Sequence, residues 1–308
     1  MKTASIFLIV ALSVASVQAQ KLKTDQKLTA QIQTAIQGFR GDVGVYVRHL
    51  KTNQMVEIQA DTVFPTASLV KVPIQCGLFD RIEKGELQYS ATLTYKDSLK
   101  YDNGITGSLK DGTKISLSTV VMLMETISDN TASLWCQALA GGGKNINDWL
   151  AKNGFVHTRV NSRTPGREAN RTRYGWGQTS PREMAELLTM LGQGRAVSAV
   201  ASDRMYRNLG RQYWDGEALS QLPPDVKVAT KNGAVNRSRS EVVLVHAPHG
   251  DYVFCVITKN NQDESWTSNN EGFALLRKIS KLLWDYYEPK RPYTPPAGSQ
   301  KLYQEAVE

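Results

Sequence analysis

Strand-like segments lie at the two ends of this chain and helical ones between them. Val43 to Leu50 alternates apolar and polar residues like a half-buried strand, Lys51-Thr52-Asn53 reads as a turn, and Met55 to Ala60 as its hairpin partner. Strand patterns return only at Val226 to Thr230, Glu241 to Ala247 and Tyr252 to Thr258. An isolated hairpin is marginal in water, so these segments must pair with one another to bury their apolar faces. Both ends of the chain therefore share one sheet, and the middle is an insertion. The expected class is α/β of the α+β type: a five-stranded antiparallel sheet lobe (27–62 and 215–288) carrying an inserted helical lobe (68–210).

Helical spacing runs through Lys27 to Phe39, Leu69 to Ile82, Leu117 to Ile127, Thr131 to Ala140 and Ile146 to Leu150, punctuated by Gly141-Gly142-Gly143 and Asn153-Gly154. Ser180-Pro181-Arg182-Glu183 is a well-formed helix start, with a hydroxyl cap, a first-turn proline and a glutamate three residues after the cap. A closing helix, Asn270 to Tyr287, precedes a Pro-rich tail (291–308) expected to be loose. Between Gly154 and Ser180 no periodicity is clear, and structureless stretches of that length are more often functional than filler.

Residues 1–19 read as a secretory signal: Lys2, an apolar run from Ile6 to Val17, and Val17-Gln18-Ala19 as a cleavage site. The protein is expected to be exported, periplasmic or extracellular, with 20–290 as one catalytic domain. Export permits a disulfide, but three cysteines leave one unpaired and do not say which two would join. Beyond residue 20 no apolar run is long enough to span a bilayer. The net charge of +8 suits either contact with an anionic cell-wall polymer or a solvated basic surface. No cluster of Lys and Arg interleaves with aromatics, so no nucleic-acid partner is expected, and the chain is read as a monomer. Four histidines without a His-Glu-x-x-His pair make no metal or cofactor expected. The nucleophile elbow Gly-x-Ser-x-Gly is absent, which argues against an α/β-hydrolase.

A serine enzyme without a histidine base needs another base, and lysine is the usual substitute. Ser68-Leu69-Val70-Lys71 opens a helix, and a spacing of three puts both side chains on one face; a plain helix entry would look the same. Ser128-Asp129-Asn130 falls between two helices, where N-capping accounts for one residue of the three. Lys231-Asn232-Gly233 ends a strand, or is a hairpin turn, for which Asn-Gly is well suited.

The three motifs, in this order and at these intervals, resemble the serine β-lactamase and penicillin-binding protein superfamily, most closely class A β-lactamases. The resemblance spans roughly residues 28–287. It implies a small-molecule β-lactam or peptidoglycan-peptide substrate and acylation of Ser68, with Lys71 as base and Ser128 as proton relay. It also implies an oxyanion hole from the N–H groups of Ser68 and Ala234. Asn130 would hold the acyl amide, and Lys231, Asn232 and Gly233, helped by Arg237 or Ser238, the substrate carboxylate.

Two departures stand out. The family's third motif has Thr or Ser where Asn232 stands. Its long loop, resembling Thr158-Arg159 and the Asn170 neighbourhood here, places a general-base glutamate four residues before the asparagine, where this chain has Gly166. The expectation is a re-registered loop in which Glu168 and Asn170 hold the hydrolytic water, making a β-lactamase. The alternatives are Glu168 paired with Arg163 or Arg171, giving a long-lived acyl-enzyme as in a penicillin-binding peptidase, or a non-catalytic envelope-binding relative.

Overall fold

Six strands form the central sheet of the computed structural model, which describes residues 22–299. Their order across the sheet is β1 (Lys23–Thr24), β3 (Gln54–Ile58), β2 (Asp42–His49), β6 (Tyr252–Lys259), β5 (Ser238–Val245) and β4 (Val228–Val235). The five expected strands pair antiparallel, with Val45 opposite Ile58, Tyr46 opposite Cys255, and Val242 between Cys255 and Lys231. The expectation of five is corrected by β1, which adds to the edge of the sheet in parallel with β3. Two residues are too few to show an alternation, so no pattern announces this strand.

Both faces of the sheet are covered, and its central strands are buried on both. Val43, Val45 and Val47 of β2 join Phe254 and Val256 on one side, beneath Leu28 and Ile32 of α1 (Gln26–Ile36) and Leu276, Leu283 and Trp284 of α9 (Glu271–Tyr287). Tyr46, Val253, Cys255 and Ile257 point the other way, onto Met184, Leu187 and Leu188 of α7 (Pro181–Gly192). Each such aliphatic side chain contributes about 1.5–3 kcal/mol on leaving water.

The helical lobe packs α2 (Lys71–Glu83), α3 (Leu117–Thr126), α4 (Asn130–Leu139), α5 (Gly142–Lys152) and α8 (Ala199–Leu209) around the core shared with α7. The glycine run read as punctuation starts α5 instead. Gly143 has no room for a side chain, since a Cβ would lie 1.8 Å from Thr164 Oγ1.

Ser180 caps α7, accepting from the Glu183 N–H, but the glutamate does more than complete a cap. Its carboxylate accepts from the N–H groups of Val156, His157 and Thr158 and from the Thr158 hydroxyl, tying the start of the long loop to the sheet-covering helix.

Cys76, Cys136 and Cys255 are buried and unbridged, and burial pushes all three thiols above their ordinary range. The expected signal segment, 1–19, and the last nine residues of the tail lie outside the described residues. The tail begins docked: Arg291 pairs with Asp225, and its carbonyl accepts from Trp284 Nε1 at 2.7 Å. Among the described residues no helix is long and apolar enough to cross a membrane.

Candidate active site

A single 3₁₀ turn, Ala67–Val70, runs straight into α2, so Ser68 and Lys71 share one face one turn apart. Lys71 is fully buried, and its Nζ lies 2.9 Å from Ser68 Oγ. The same nitrogen donates to Ser128 O at 2.6 Å and reaches Ser128 Oγ at 2.8 Å and Asn130 Oδ1 at 3.0 Å. Between α3 and α4, Asp129 is the cap, accepting from the N–H groups of Ala132 and Thr106. Capping therefore accounts for Asp129 alone. Ser128 holds a left-handed φ of 62°, a conformation costly outside glycine, and with Asn130 it turns toward Lys71.

Lys231, Asn232 and Gly233 stand inside β4, not in a turn, which sets the hairpin alternative aside. Gly233 faces Ser240 in the neighbouring strand. A Cβ there would come within 2.8 Å of Thr66 O and 3.0 Å of Ser68 N, so only glycine lets β4 pass this close to the Ser68 turn. Lys231 is fully buried and its Nζ donates to Asn232 O and Oδ1, both at 3.2 Å.

Burial, reinforced by the like charge of Lys231, holds the Lys71 ammonium well below its ordinary range; Glu125, Asp129 and Asp102 oppose the shift without cancelling it. Burial lowers Lys231 as well. Glu125, on α3, is buried with neither carboxyl oxygen hydrogen-bonded, and burial raises it against the pull of both lysines. Asp102 accepts from Asn130 Nδ2 at 2.9 Å, fixing the amide so that its oxygen faces Lys71. Sequence reasoning missed both acids. Glu125 sits in a helix whose spacing reads as core, and Asp102 in a turn-like Tyr101-Asp102-Asn103-Gly104, where an acid ordinarily looks solvated.

Two cavities meet at Ser68, Asn130 and Ala234. The larger, about 830 Å³, is walled by Tyr101, by residues 172–176 of the long loop, and by Arg237 and Ser238. The smaller, about 370 Å³, is lined by Ser128, Trp214, Glu217, Asn232, Gly233 and Arg277 among others. Arg237 pairs with Glu264 at 3.6 Å and is not among the residues lining the smaller cavity. Glu168 and Asn170 line neither. Glu168 is exposed at the start of α6 (Glu168–Tyr174), where its Oε1 accepts from the Gly166 N–H at 3.1 Å instead of pairing with Arg163 or Arg171. Asn170 donates to Gln178 Oε1 at 2.9 Å.

A sequence profile described as the Beta-lactamase enzyme family matches residues 27–287. The chain belongs to that family. It is 23% identical to the β-lactamase VEB-1 of Pseudomonas aeruginosa over 301 residues, 93% of this chain and 99% of that one. The structure of PBP-A matches with a TM-score of 0.77 at 26% identity, over 88% of this chain and 99% of that one. The β-lactamase of Sphaerobacter thermophilus DSM 20745 matches with a TM-score of 0.76 at 23% identity, over 86% and 98%. The architecture is the class A β-lactamase fold. In this β-lactamase-family cleft the loop wall carries Thr172, Arg173, Tyr174, Gly175 and Trp176, and among the described residues lining the larger cavity none is Asp or Glu.

Proposed function

We propose that the protein is a serine enzyme that opens β-lactams or cleaves acyl-peptides through an acyl-enzyme on Ser68, and that it releases the acyl group slowly. The carrying observation is Lys71 Nζ held 2.9 Å from Ser68 Oγ in a fully buried position. The neutral amine takes the hydroxyl proton as Oγ bonds to the substrate carbonyl carbon. The N–H groups of Ser68 and Ala234 serve as the oxyanion hole. As the C–N bond breaks, Ser128 gives its proton to the leaving nitrogen and regains one from Lys71, 2.8 Å away. Asn130 orients the acyl amide, with Ser238 and Arg237 along the acyl side. Lys231 acts from beneath, through Asn232.

Slow release is supported by a loop wall with no carboxylate to orient water. A PBP-A mutant, 26% identical to this chain, is known as its acyl-enzyme complex with penicillin G. Turnover as a β-lactamase, with Glu168 as base, is the second reading, favoured by the near full-length match to VEB-1.

A chromogenic cephalosporin followed by intact-mass measurement separates them. The expected result is one stoichiometric burst and a lasting adduct, absent in Ser68→Ala. Steady hydrolysis would carry the β-lactamase reading, and no adduct would leave a non-catalytic envelope-binding protein. Export is part of the proposal: the mature N-terminus is expected at Gln20, and a protein recovered with residues 1–19 attached would reject it.

A further inference from the structure

Ser128, which protonates the leaving nitrogen in the reading above, lines the smaller cavity and not the larger, so the acyl half of the substrate occupies the larger one. Three elements remote in sequence each bring a cation to its wall: Arg173 from α6, Arg237 from the turn between β4 and β5, and Lys259 from the end of β6. Among the described residues no Asp or Glu lines it. Arg173 is exposed and makes no hydrogen bond or ion pair among the described residues; its guanidinium lies 5.1 Å from the Tyr174 ring. Lys259 donates to Val63 O at 2.9 Å and stands 4.6 Å from the Phe64 ring, with no carboxylate as partner.

The acids bonded to this wall do not cancel its charge. Asp42, the cross-strand neighbour of Lys259, accepts from Asn260 Nδ2 at 2.7 Å, and Asp102 accepts from Asn130 Nδ2 at 2.9 Å. Glu264 meets Arg237 at 3.6 Å through Nε alone, with both side chains at least half exposed, and such a pair holds little in water. The two terminal nitrogens of Arg237 have no partner among the described residues, and beside it the buried Ser238 hydroxyl has none either. A carboxylate on the acyl half therefore meets positive charge from three elements, two of them planar guanidinium donors that suit its geometry. An ammonium meets like charge with no acid at the wall to receive it. A cleft lined by one sign of charge also concentrates ligands of the other.

We propose that the enzyme selects acyl donors whose acyl half carries a carboxylate, with Arg173, Arg237 and Lys259 as the groups that recognise it. This rests on the acyl-transfer reading of Ser68.

Benzylpenicillin and its two derivatives with a carboxylate or an amino group on the carbon joining phenyl ring to amide share one leaving half and differ in the charge of the acyl half. Their rates of Ser68 acylation form the test, followed by intact mass at low ionic strength and about pH 6, where the amine is charged, and each normalised to its alkaline ring-opening rate. The wild type is expected to favour the carboxylate derivative over the ammonium one by about tenfold or more, with benzylpenicillin between them. The double variant Arg173→Gln, Arg237→Gln is expected to cut that ratio several-fold. An ammonium derivative that reacts as fast as the carboxylate one, or an unchanged ratio in the folded double variant, overturns the proposal while Ser68 acylation stands. Should the variant not fold, salt takes its place: the wild-type ratio is expected to shrink toward one at about 1 M salt, and a ratio that salt does not move overturns the proposal. Failure of all three compounds to label Ser68 removes the acyl-transfer reading and this inference with it.

Discussion

Lys71 combines two properties that pull against each other in water. It lies within hydrogen-bond reach of Ser68 Oγ, and it is buried deeply enough that its ammonium form is disfavoured. Ser68, Lys71, Ser128 and Asn130 are legible in the sequence because short spacing puts chemically matched side chains together. Glu125, Asp102 and Glu217 are not, because whether an acid is solvated or buried beside a lysine depends on what the rest of the chain packs over it. Glu168 shows the reverse case: it is the nearest carboxylate in sequence, and in the fold its Oε1 accepts from the backbone of its own loop. Glu168→Gln is therefore expected to leave the release rate of the Ser68 acyl-enzyme unchanged. A several-fold slower release in that variant would restore it as the base.

At the level of elements, the site is a meeting of three: the Ser68 turn entering α2, the α3–α4 connector, and β4. The closest approach is between β4 and the turn, at Gly233. Adding a methyl there pushes the strand that carries Ala234 away from Ser68 N. Gly233→Ala is expected to lower the acylation rate on the order of a hundredfold, the loss typical of one oxyanion donor, while the protein stays folded. Acylation at the wild-type rate would show that the two elements need not touch. Helix starts were readable where a cap residue marks them, as at Ser180 and Asn270. The second role of Glu183, clasping residues 156–158, was not, since its partners precede it by more than twenty residues of loop.

Across the whole molecule, the buried carboxyls tie stability to pH. Burial and the neighbouring Glu217 push Glu241 up to about 8 from an ordinary 4.5. Between those values the folded protein keeps a proton that the unfolded chain has lost. The Glu241 contribution is thus fully present below about pH 4.5 and is lost as the pH rises through about 8. Glu125 shifts in the same direction, whereas the depressed Lys71 works against both, so the comparison with a variant isolates the effect. Glu241→Gln is expected to match the wild type in melting temperature near pH 5 and to exceed it increasingly toward pH 8. A gap that stays constant with pH would mean that Glu241 is charged in the fold.

From the sequence alone came the order of strands and helices, the joining of both chain ends in one sheet, and the resemblance to the β-lactamase family. These rest on local periodicity, caps and short spacings, which each segment carries by itself. Only the tertiary structure decided that residues 68, 71, 128 and 130 share one buried nitrogen, that the long loop turns Glu168 and Asn170 away, and that acids lie against both lysines. Those facts depend on distances between segments remote in sequence and on burial, and burial sets the charge of an ionisable group only once every neighbour is in place.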